Sequence, residues 1–103
     1  MGYEYSINLD KKLEKYDFER IIQNLKNEDG FSVLEKKLNS FSLKKSVNVI
    51  GLGECEQDIY LEMRDREIYV LFNMYIGEKR EDFINSILEI LKNYGISGEF
   101  EEI

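Results

Sequence analysis

At 103 residues, 43% hydrophobic and 34% charged, the chain has a globular rather than a disordered composition, and its length suits one domain spanning residues 1–103. No run approaches the roughly 18 apolar residues that cross a bilayer, and MGYEYSINL puts no basic flank ahead of an apolar stretch, so neither anchor nor signal peptide is expected and a cytoplasmic location is. The net charge of −7 is uneven: residues 1–50 carry nine basic and eight acidic side chains, residues 51–103 five and thirteen, and such an acidic surface repels phosphate backbones, which makes nucleic acid an unlikely partner.

Residues 3–9 alternate, with Tyr3, Tyr5, Ile7 and Leu9 on one side, as in a half-buried strand. After a polar stretch from Asp10 to Glu14, Phe18, Ile21, Ile22 and Leu25 recur at i, i+3, i+4 and i+7 and predict a helix, with Asp17 or Asp10 as its cap and Gly30 as its stop. Phe31 and Val33 suggest a short strand, Asn39-Ser40 a turn, and Phe41, Leu43, Val47 and Val49 a second strand interrupted by Lys45. Leu34 and Leu38 also fit a helical turn. Gly51-Leu52-Gly53 marks a bend or bulge.

The strongest local pattern is at residues 57–76, where Ile59, Leu61 and Met63 alternate, as do Ile68, Val70, Phe72, Met74 and Ile76. A two-residue connection at Asp65-Arg66 pairs Met63 with Ile68, Leu61 with Val70 and Ile59 with Phe72, and sets Arg64 opposite Glu67. A register that buries Glu62 against Ile68 is rejected, whereas a four-residue turn from Arg64 to Glu67 preserves the same facing. A second helix follows Gly77 on the stripe Phe83, Ile84, Ile87, Leu88 and Leu91, widened by Ile90 and Tyr94 and stopped by Gly95. Phe100 faces inward from a short edge strand guarded by Glu99, Glu101 and Glu102. The order β-α-β-β-β-β-α-β predicts an α+β two-layer sandwich: a predominantly antiparallel sheet of five or six strands with two helices on one face. In element order alone it is a ferredoxin-like βαββαβ sheet extended in its middle by a hairpin.

The absence of histidine excludes histidine-based acid–base catalysis, Ser-His and Cys-His pairs and imidazole zinc motifs. The single cysteine, Cys55, rules out an intrachain disulfide, a CxxC pair or a four-cysteine cluster, and its acidic neighbours disfavour a thiolate. No phosphate-binding glycine motif is present, and neither a cofactor nor a catalytic residue is expected. Glu54, Glu56 and Asp58, at i, i+2 and i+4, share a strand face that suits Mg²⁺ or Ca²⁺ only if the side chains converge, and a solvated edge is the simpler reading.

If both helices cover the Ile59/Val70/Phe72 side, the other face of the hairpin displays Glu56, Tyr60, Glu62, Tyr69, Leu71 and Tyr75, with Tyr60 across from Leu71, Tyr69 from Glu62 and Tyr75 from Glu56. These six are the candidate interface residues, unless residues 31–50 fold across them. The leading expectation is a non-catalytic interaction or inhibitor-like (immunity-like) acidic protein, its partner a second copy or a basic protein and not a membrane. The alternatives are a single-stranded RNA-binding module, with Lys36, Lys37, Lys44 and Lys45 at one end, and a divalent-metal-dependent hydrolase using the carboxylate row.

Overall fold

A computed structural model describes the backbone of residues 2–28, 30–37, 39–49, 51, 53–73 and 77–103; within those segments the side chains at 2, 28, 34, 46–49, 54–57 and 77–79 lie outside the description. The chain runs β1 (Gly2–Leu9), α1 (Lys15–Glu28), β2 (Ser32–Lys36), β3 (Ser40–Val49), β4 (Gly53–Arg64), β5 (Glu67–Asn73), α2 (Gly77–Asn93) and β6 (Gly98–Glu102). The six strands form one antiparallel sheet in the order β2-β3-β4-β5-β1-β6. Removing β2 and β3 leaves β4-β5-β1-β6, the strand order of a ferredoxin-like βαββαβ sheet. The added hairpin lengthens the sheet beyond β4 and is not folded across it.

Pairing of β4 with β5 follows from alternation. Met63 stands opposite Ile68, Leu61 opposite Val70, Ile59 opposite Phe72 and Arg64 opposite Glu67, across the two-residue turn Asp65-Arg66. A shift by one residue would carry this apolar set to the wrong face. Tyr5, Ile7 and Leu9 of β1 join the same side, as do Phe41 and Leu43 of β3, and both helices lay their stripes on it. Phe18, Ile21, Ile22 and Leu25 of α1 and Phe83, Ile84, Ile87, Ile90 and Leu91 of α2 are all buried. Edge-to-face rings tie the layers together: Tyr5 to Phe72 at 5.6 Å, Phe72 to Phe83 at 5.6 Å and Phe83 to Phe31 at 5.3 Å.

Two local features depart from expectation. The first helix begins at Lys15, and the Phe18 N–H already donates to the Glu14 carbonyl, so Asp17 lies inside the first turn and favours the helix dipole instead of capping it. Asp10 is engaged elsewhere, exchanging backbone and side-chain bonds with Ser97 at 2.9 Å each. The end of α2 is regular: Gly95 has φ 75°, the Gly95 N–H reaches Lys92 O at 3.0 Å and the Ile96 N–H reaches Leu91 O at 3.0 Å. That pair of bonds is a Schellman closure, with Ile96 tucked into the core as its apolar partner. Leu13, inside the polar stretch before α1, is also buried. Among the described residues no helix is long and apolar enough to cross a membrane.

Candidate functional site

Because side chains alternate along a strand, the pairing that buries the odd residues of β1, β3 and β4 and the even residues of β5 also defines the opposite face. One row across it reads Ser40, Glu62, Tyr69, Ser6, Glu101, and the next reads Ser42, Tyr60, Leu71, Glu4. Tyr60, Tyr69 and Leu71 sit together as half-buried side chains with no described element over them. The two tyrosine rings lie 6.2 Å apart in an edge-to-face arrangement.

A chain of polar contacts holds these rings. Tyr60 donates to Glu62 at 2.9 Å, and Arg64 donates to Glu62 and to Glu67 at 3.2 Å each. The Arg64 guanidinium lies 4.6 Å from the centre of the Tyr69 ring. Ser6, buried in the middle of β1, donates its hydroxyl to the second oxygen of Glu67. This bond, with help from Arg64, holds the Glu67 carboxyl below its ordinary range against the opposing effect of burial. Burial, followed by the hydrogen bond to Glu4, holds the Tyr69 phenol above its ordinary range. A tyrosine so placed is a neutral donor at physiological pH, suited to recognition and poorly suited to act as a base.

The face is strongly acidic. Among the described residues Glu4, Glu35, Asp58, Glu62, Glu67, Glu99 and Glu101 occupy it against Lys37, Lys44 and Arg64, an excess of four negative charges within a chain whose net charge is −7. Of the other lysines named from the sequence, Lys37 alone joins this face. Lys45 lies over the Phe31 ring at 5.2 Å on the helix side, Lys36 pairs with Glu19 of α1, and Lys37 pairs with Glu35.

Of the six candidate residues, four are brought together: Tyr60, Glu62, Tyr69 and Leu71, with Tyr60 opposite Leu71 and Tyr69 opposite Glu62. The Glu56 backbone pairs with Ser46, its side chain is outside the described set, and Tyr75 lies outside the described residues altogether. The side chains of Glu54 and Cys55 are likewise outside it; Asp58 is exposed, and among the described residues no three acidic, cysteine or histidine groups converge as a metal site. Sequence reasoning set Arg64 opposite Glu67, as observed, but missed Ser6 and Glu4 as supports for the tyrosines. Their only signal is the register of β1 on β5, which joins residues 61 positions apart.

No protein-family model matches the chain, and no curated protein matches it in sequence.

Proposed function

We propose that this chain is a non-catalytic, inhibitor- or immunity-like protein of the cytoplasm that takes up a basic partner protein on the open face of its sheet. The observation that carries this reading is the coincidence, on one face that no described element covers, of seven described carboxylates against three described cations around a half-buried tyrosine–tyrosine–leucine centre. The carboxylates steer a cationic surface and can stand in for the phosphates that a basic protein, such as a nuclease, would otherwise bind. The tyrosines supply contact area while their hydroxyls tolerate water. Their hydrogen bonds fix the rings in advance, which lowers the entropy lost on association.

Charge also chooses between the possible partners. A second copy would bring two faces of the same sign together, and a phosphate backbone would meet the same repulsion. A basic protein gains from that field.

The test is affinity capture with the wild type and with the combined variant Asp58→Lys, Glu62→Lys, Leu71→Asp, followed by remeasurement with each purified pair. The expected result is a basic protein bound stoichiometrically by the wild type, weakened by salt and lost in the variant. Association indifferent to both salt and charge reversal overturns the proposal. So does a wild-type homodimer in light scattering that Leu71→Asp dissolves.

A further inference from the structure

The outer edge of β6 has the geometry of a strand acceptor. Ser97 O bonds Asp10 N and Ile103 N bonds Glu4 O, so in this antiparallel ladder the odd residues of the β6 segment exchange hydrogen bonds with β1. The backbone groups of Gly98, Phe100 and Glu102 therefore point away from the sheet, where no described strand lies beyond β6. The opposite edge, β2, is interrupted by a register shift between Val33 and Glu35, a device that spoils strand addition, whereas the pairing of β6 runs without a break.

Beside this edge lies a groove of about 340 Å³. One wall is a helical stripe of α2, formed by Asn85, Leu88, Glu89 and Lys92, and the other is the start of β6 with Ile96 and Gly98. The absence of a side chain at Gly98 keeps that end open, because a Cβ there would stand 3.1 Å from Leu88 and 3.1 Å from Leu9. On the other side of the strand, Glu99 and Glu101 project from the acidic face. An added strand alternates in the same way: its side chains would fall by turns beside Glu99 and Glu101 and over the groove floored by Leu88 and Ile96.

We propose that β6 and the α2 groove accept an extended segment of a partner protein in which Lys or Arg alternates with aliphatic residues. The cations face Glu99 and Glu101, and the aliphatic side chains enter the groove. A second copy of β6 is a poor occupant, since antiparallel pairing of the two edges about Phe100 would oppose Glu99 of each copy to Glu101 of the other. The charges that prevent self-pairing thus select a basic strand. The inference rests on the edge and its groove and not on the tyrosine face: Leu71→Asp tests the latter and leaves this edge intact.

The probe is a capped seven-residue peptide alternating Lys and Val, with an alternating Lys–Ser peptide of equal charge as control, read by amide hydrogen exchange in NMR and by fluorescence anisotropy. Saturating Lys–Val peptide should slow exchange at Gly98, Phe100 and Glu102 by about tenfold or more, leaving Glu99 and Glu101, already in the ladder, unchanged. Glu102→Pro removes an outward N–H without touching the pairing to β1, and should weaken binding about fivefold, the equivalent of one backbone hydrogen bond. Glu102→Gln, which keeps that N–H, should match the wild type within about twofold. Leu88→Asn should weaken binding through the groove alone. The proposal is overturned if the three amides are not slowed at saturation, or if the Lys–Ser peptide binds as tightly as the Lys–Val peptide.

Discussion

Arg64→Gln should move stability and binding in opposite directions. Arg64 bridges Glu62 and Glu67 at 3.2 Å each and stacks on Tyr69 at 4.6 Å, with its side chain 47% exposed. Ion pairs this open contribute at most about 0.5 kcal/mol each, and a half-exposed cation–π contact adds a similar amount. Glutamine retains part of the stem packing, so the loss should be about 1 kcal/mol, or roughly 5 °C in Tm for a chain of this size. The same substitution removes one of the three described cations on the acidic face and releases two carboxylates for an incoming charge. One unit charge about 7 Å from a bound cation in water is worth about 0.6 kcal/mol, or roughly threefold in affinity. Urea titration measures the first effect; anisotropy of a labelled ten-residue lysine peptide at low ionic strength measures the second. The gain should disappear at high salt, where the Debye length falls to a few ångströms. If the variant binds the lysine peptide more weakly than the wild type at low salt, Arg64 is not competing for these carboxylates and the argument fails.

Leu71→Asp places a charge between Tyr60 and Glu4 on a half-buried strand position and should cost about 1–2 kcal/mol, with an unchanged far-ultraviolet circular dichroism spectrum and loss of the captured basic partner; retained capture would remove Leu71 from the interface. Glu67, whose carboxyl is held below its ordinary value of 4.5 chiefly by Ser6, adds stability that is complete above that value and drains away as pH falls through the lower folded-state value. Glu67→Gln should therefore be less stable than the wild type near neutrality, with the two urea midpoints converging in acid; an equal deficit at both ends would show that the loss is steric. Gly98→Ala pushes a methyl to 3.1 Å from the tips of Leu88 and Leu9 and should lower stability by about 1 kcal/mol in a thermal melt, unless both tips swing aside without cost.

The parts of the fold legible in the sequence are those in which the deciding contacts are local. In the β4–β5 hairpin, alternation and turn length together determine that Met63 meets Ile68, and the observed pairing is the same. The stripes of α1 and α2 are equally local. Leu13 and Ile96 are buried but were invisible, because an isolated apolar residue in a connecting segment has no period to betray it. Asp17 resembles a cap because capping depends on where the first helical bond closes, and a bond from Phe18 to Glu14 begins the helix three residues earlier.

The candidate site divides along the same line. That Tyr60, Tyr69 and Leu71 share a face follows from hairpin register alone. Whether that face is open depended on residues 31–50, and their placement is decided by the pairing of β3 with β4 across a glycine turn in which Gly51 and Gly53 have φ of 87° and 74°. The spacing of Leu34 and Leu38 left a strand and a helical turn as rivals; Leu34 lies in the strand Ser32–Lys36, Leu38 lies outside the described residues, and the ladder from Ser40 to Val49 bonds β3 edge to edge with β4 instead of over the tyrosines. The supports beneath them, Ser6 and Glu4, arrive by the longer route of β1 docking on β5. This joins foldedness to recognition. Losing the β1–β5 register would cost the core its Ile7–Ile68 pair and free the Glu67 carboxylate and the Tyr69 ring at the same time, so the acidic face keeps its fixed geometry only in the folded sheet.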